Sequence, residues 1–80
     1  MSNLDRELQI AEIVCRLAKL PNLGHDVDYF NAGLASIQAL ELLIELESQF
    51  GVSLPDDEFA KVRTVRALSD LIQSRSGAVQ

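Results

Sequence analysis

The sequence predicts an all-α domain with three main helices, one short helix and a long first connection. Three observations lead there. Apolar residues recur at spacings of three and four in separate segments, the signature of one-sided helices. Aromatic residues make up only 5% of the chain, so the core must come mainly from Leu, Ile, Val and Ala, which favours packed helices over aromatic-rich strands. Pro21 and Gly51 close two of the periodic segments, one by breaking a helix and the other by capping it.

The first helix is expected from about Leu4 to Leu20. Leu4, Leu8, Ala11, Cys15 and Ala18 form one apolar row, with Ile10, Val14 and Leu17 beside it. Asn3 or Ser2 supplies a capping side chain. A connection from Asn22 to Ala35 follows, rich in Gly, Asn and Asp, with Val27, Tyr29, Phe30 and Leu34 able to pin it to the core. Ile37 to Phe50 is strongly periodic. Ala39, Leu42, Leu43, Leu46 and Phe50 make its core face, while Ile37, Leu40 and Ile44 make a second stripe that either docks partners or packs under the preceding loop. Pro55 to Lys61 reads as a short helix or turn. Thr64 caps a final helix from Val65 to about Ser74, facing inward through Val65, Leu68, Leu71 and Ile72. The tail at 76–80 is expected to be flexible.

With 80 residues the chain forms one domain and has little room for a deep substrate cavity. A composition 48% hydrophobic and 24% charged argues against disorder. The net charge of -5 is unevenly placed: eight acids and no Lys or Arg lie between Asp26 and Ala60. Such a surface repels nucleic acid and anionic lipid and steers toward basic protein partners. Cys15 is the single cysteine, which excludes an internal disulfide and a multi-thiolate metal site and suits a small buried apolar side chain. The chain has neither a secretory signal pattern nor a membrane-length apolar run, so a cytoplasmic monomer is expected.

Autonomous chemistry finds little support. Ser36, His25 and Asp28 are the right types for nucleophile, base and orienting acid, but linear separation establishes no such geometry. Asp56, Asp57 and Glu58 are consecutive and lack calcium-loop spacing. His25 has no second histidine or nearby cysteine to share a metal. No enzyme and no metal site is expected.

The residues around Ser36 carry a different message. Phe30-Asn31-Ala32-Gly33-Leu34-Ala35-Ser36-Ile37 resembles the attachment motif of the acyl and peptidyl carrier protein family: glycine, hydrophobe, aspartate, serine, hydrophobe. The likeness continues through Glu41, Leu42, Glu45, Leu46, Glu47 and Phe50-Gly51-Val52. It then runs into Leu54-Pro55-Asp56 and Thr64-Val65-Arg66-Ala67-Leu68. This resemblance implies an acyl-carrier-like four-helix bundle over a single carrier domain, 1–80. It implies a 4'-phosphopantetheine arm on Ser36, installed by a separate phosphopantetheinyl transferase from coenzyme A with magnesium. An acyl, aminoacyl or peptidyl cargo would be held on the arm as a thioester. Further implied partners are an acyl- or amino-acid-activating ligase and a downstream synthase, transferase or modifying enzyme. By the same resemblance, Ile37, Leu40, Glu41, Ile44 and Glu47, with Glu45 and Asp56, form the partner surface.

The main departure is Ala35, which stands where the family usually has the aspartate. Its methyl group leaves Ser36 accessible, but the missing carboxylate points to slower modification or a specialised transferase. The alternative is an unmodified helical adaptor that binds proteins through the acidic face of its second helix. The Phe-Gly-Val-Ser-Leu-Pro stretch and Ala35 look more like a discrete, free-standing aminoacyl or peptidyl carrier than the housekeeping fatty acid carrier. Polyketide and specialised lipid synthesis stay open.

Overall fold

The computed structural model describes residues 3–77. Among these residues five helices follow one another: α1 (Asn3–Ala18), α2 (Tyr29–Ala32), α3 (Ser36–Phe50), α4 (Asp56–Lys61) and α5 (Val65–Gly77). Three are long, and α1 packs against both α3 and α5, while α4 packs on α5.

Each boundary has a local cause. The first helix ends at Ala18, short of the expected Leu20. Lys19 turns into the left-handed region at φ 58°, and the Leu20 N–H returns to the Cys15 carbonyl at 2.9 Å. That six-to-one closure satisfies one of the last free carbonyls before Pro21. At the other end, Asn3 lies inside the helix, and Ser2 falls outside the described residues. Gly51, at φ 64° and ψ 36°, caps α3 by donating to the Glu47 carbonyl. Thr64 Oγ1 accepts from the Ala67 N–H at 3.1 Å and starts α5. The three acids in the first turn of α4 and Lys61 in its last suit the helix dipole.

The expectation of four helices is corrected by α2, a single turn inside the long connection. Asp28 starts it, its carboxylate accepting from the Phe30 and Asn31 N–H groups at 2.9 and 3.3 Å. Gly33 ends it at φ 136°, a conformation side chains resist. Tyr29 is completely buried and donates its hydroxyl to the Val62 carbonyl at 3.1 Å. The turn is held by the core rather than by intrinsic propensity, since so short a helix does not persist alone. The final helix runs to Gly77, past the expected end near Ser74. Of the tail expected to be flexible, Ser76 and Gly77 belong to α5 and 78–80 lie outside the described residues.

The core is aliphatic. Ile10, Ile13 and Val14 of α1 meet Leu42, Leu43 and Leu46 of α3 and Val65, Leu68, Leu71 and Ile72 of α5, closed by Tyr29 of α2, Phe59 of α4, and Leu34 and Leu54 from the connections. Of the two apolar rows expected on α1, the one containing Ile10 and Val14 faces inward, joined by Ile13. Leu4 and Leu8 from the other are about half exposed or more. Cys15 is half-buried instead of enclosed, and burial pushes its thiol pKa up.

Candidate functional site

Ser36 is the first residue of α3 and is exposed. Its position is prepared from both sides. Before it, buried Leu34 anchors the connection, its N–H donating to the Tyr29 carbonyl at 3.0 Å. After it, the core face of α3 holds the helix against α1. Ala35 occupies the capping position with extended backbone and offers no side-chain acceptor. Half of a capping box is nevertheless present, because Gln38 reaches back to accept from the Ala35 N–H at 2.8 Å. The same side chain donates from Nε2 to the Leu17 carbonyl at 2.6 Å. Gln38 was not among the residues singled out from the sequence. Its signal was available: a Gln three positions after a capping site is the second half of a capping-box pattern.

Beyond Ser36, Ile37, Leu40 and Ile44 are 77%, 59% and 57% exposed. Of the two possibilities left open for this stripe, the structure realises the exposed one. The loop does not cover it. Helical geometry places Ile37, Glu41, Ile44 and Ser48 along one outward line, opposite the buried Leu42 and Leu46. Large aliphatic side chains on one exposed helix face form an apolar strip leading away from Ser36.

The acids differ in how far they are engaged. Asp26 pairs with Arg66 at 2.9 Å, Asp28 with Arg63 at 2.5 Å, Glu45 with Arg16 at 2.6 Å, and Glu58 with Arg75. The Arg63 hydrogen bond holds the Asp28 carboxyl below its usual range. Glu47 accepts from the Leu54 N–H at 2.9 Å and so ties down the connection after α3. Glu41 and Asp56 are exposed, with no ion pair among the described residues. Of the expected partner-surface residues, Ile37, Leu40, Glu41 and Ile44 lie together on the outer side of α3. Glu45 and Glu47 flank that strip while engaged internally, and Asp56 sits apart at the start of α4.

A Ser36–His25–Asp28 arrangement is not assembled. His25 Nδ1 lies 2.7 Å from Glu7 Oε1, and Asp28 serves Arg63 and the start of α2. An open groove of about 460 Å³ runs past Gln9, Glu12, Ile13, Cys15, Arg16 and Gln49 and does not include Ser36. Among the described residues, no group of three or more His, Cys, Asp or Glu is placed to hold a metal ion, and no helix is long and apolar enough to cross a membrane.

The site is an exposed serine opening a helix, with an apolar strip beside it and a small aliphatic bundle beneath, and comparison with known proteins gives it a family. The family described as "Phosphopantetheine attachment site" matches residues 8–72. The chain is similar to an acyl carrier protein homolog of Ureaplasma parvum, with 29% identity over 66 residues, covering 76% of this chain and 86% of that one. It is also similar to the acyl carrier protein of Thermosynechococcus vestitus, with 40% identity over 43 residues, covering 54% of this chain and 53% of that one. The chain belongs to the acyl carrier protein family and is a phosphopantetheine-binding domain. Members of this family are carriers and not catalysts, so the domain is not an enzyme.

Proposed function

We propose that this domain carries an acyl, aminoacyl or peptidyl intermediate as a thioester on a 4'-phosphopantetheine arm attached to Ser36. The observation behind this is the exposed Ser36 at the first position of α3, within the segment matched to the attachment-site family. A phosphodiester there is anionic, and the first turn of α3 has no side-chain cap on its N–H groups, an environment that suits negative charge. The arm supplies the terminal thiol on which cargo rides.

Ser36 Oγ attacks the coenzyme A phosphorus that bears the pantetheine. A new Oγ–phosphorus bond forms, the bond to the nucleotide phosphate breaks, and the nucleotide bisphosphate leaves. The hydroxyl proton passes to a base on the transferase, because this chain places neither His25 nor Asp28 at Ser36. Magnesium held by the transferase balances phosphate charge. Loading falls to an acyl- or amino-acid-activating ligase and unloading to a synthase, transferase or modifying enzyme. Ile37, Leu40 and Ile44 offer such partners apolar contact, with Glu41 and Glu47 and, more weakly, Glu45 and Asp56 steering basic surfaces.

Intact-protein mass spectrometry tests this after incubation with coenzyme A, magnesium and a broad-specificity transferase. The expected result is a gain of one arm on the wild type and none on Ser36→Ala. A wild-type protein that carries no arm when isolated from its native host overturns the proposal. It would favour an unmodified adaptor that uses the α3 face, a reading to which Ala35 gives some weight.

A further inference from the structure

We infer that Gln38 is a positioning residue that holds Ser36 in place for attachment of the arm, an inference that rests on the carrier reading of Ser36. Ser36 is exposed at the very start of a helix, so the backbone of that first turn determines where its hydroxyl sits. First turns fray when their ends lack partners. Ala35 has no side chain able to cap this one.

Gln38 replaces that support from inside the helix and extends it to a neighbouring one. Its Oε1 accepts from the Ala35 N–H at 2.8 Å, and its Nε2 donates to the Leu17 carbonyl at 2.6 Å. Leu17 lies in the last turn of α1, where carbonyls have no partner within the helix. One amide therefore satisfies a donor just before Ser36 and an acceptor 21 residues away in the chain. Only a side chain with both an acceptor and a donor end can make both bonds; a carboxylate lacks the donor and an ammonium lacks the acceptor. The reverse amide orientation would set donor against donor and acceptor against acceptor.

Gln38 is half-buried on the α1 side of α3, away from the exposed line of Ile37, Glu41 and Ile44. Its removal should loosen the approach of Ser36 Oγ to phosphorus without stripping the docking strip. That separates turnover from affinity. A positioning role lowers kcat, whereas a contact with the transferase raises KM.

The test is steady-state kinetics of a transferase acting on the whole protein, with coenzyme A and magnesium, for wild type, Gln38→Ala and Gln38→Glu. Far- and near-ultraviolet circular dichroism identifies folded samples. In Gln38→Ala, kcat should fall about tenfold while KM for the carrier stays within about twofold. Gln38→Glu keeps the acceptor toward Ala35 but not the donor toward Leu17, and should fall between the two. If Gln38→Ala does not fold, a lowered kcat at constant KM in Gln38→Glu carries the same conclusion. Unchanged kcat in the folded variants, or a raised KM at constant kcat, overturns the inference. A wild type that accepts no arm overturns the carrier reading itself, whereas variants modified as fast as wild type overturn the role of Gln38 alone.

Discussion

Ala35 sits at the junction of stability and modification. It is the one capping position before Ser36, and its methyl group leaves the Gln38 backbone N–H without a side-chain acceptor. Ala35→Asp should complete the capping box and place a negative charge at the positive end of α3. The expected gain is about 1 kcal/mol of unfolding free energy, measured by urea denaturation. A loss of stability would mean that the extended backbone at Ala35 cannot direct a carboxylate at that N–H. The pattern at this position was readable from the sequence, including the missing acid. The partner of Gln38 was not, because Leu17 approaches only when α1 and α3 pack.

At the scale of the element, α3 is a helix with two apolar faces that do different work. Leu42 and Leu46 are completely buried, while Ile44 between them is 57% exposed. Leu46→Ala should cost about 2–5 kcal/mol through lost burial and a residual cavity. Ile44→Ala should change stability by no more than about 0.5 kcal/mol, and thermal or urea unfolding distinguishes the two. A large cost at Ile44 would mean that the outer strip is covered. Periodicity identified both faces of α3 because acids interrupt the outer one. On α1 it was less decisive: adjacent rows were both apolar, and the packed positions of α3 and α5 decided that Ile10, Ile13 and Val14 turn inward. One-turn α2 escaped periodicity altogether, since four residues do not fill a repeat.

For the molecule as a whole, two neighbouring groups link the first connection to the rest of the fold and give opposite pH limits. Asp28 bonds to Arg63, which also lies over the Phe30 ring at 4.9 Å. Because its folded pKa is lowered, its contribution is present above the unfolded carboxylate value of about 3.9 and is lost as pH falls through the folded value. Arg63→Ala should therefore reduce the acid-side loss of stability, compared by urea midpoints as the pH is lowered from neutrality through the carboxylate range. Tyr29 behaves in the opposite sense. Burial, reinforced by the Asp28 charge, pushes its pKa up to about 12. Its contribution is complete below the unfolded value of about 10 and is lost as pH rises from there toward about 12. As the single tyrosine, it can be followed by phenolate absorbance. Titration of the folded protein near the ordinary value would show that the ring is not enclosed.

Pattern along the chain was enough for the all-α class, the three main helices, the caps at Gly51 and Thr64, and the family resemblance centred on Ser36. These features are local: periodicity, turn chemistry and short spacings depend on residues a few positions apart. Packing was needed to establish that the outer strip of α3 stays uncovered, that Asp26, Asp28, Glu45 and Glu58 find arginine partners, and that Gln38 joins the start of α3 to the end of α1. Those outcomes depend on residues that meet only after the helices pack, so no spacing along the chain records them.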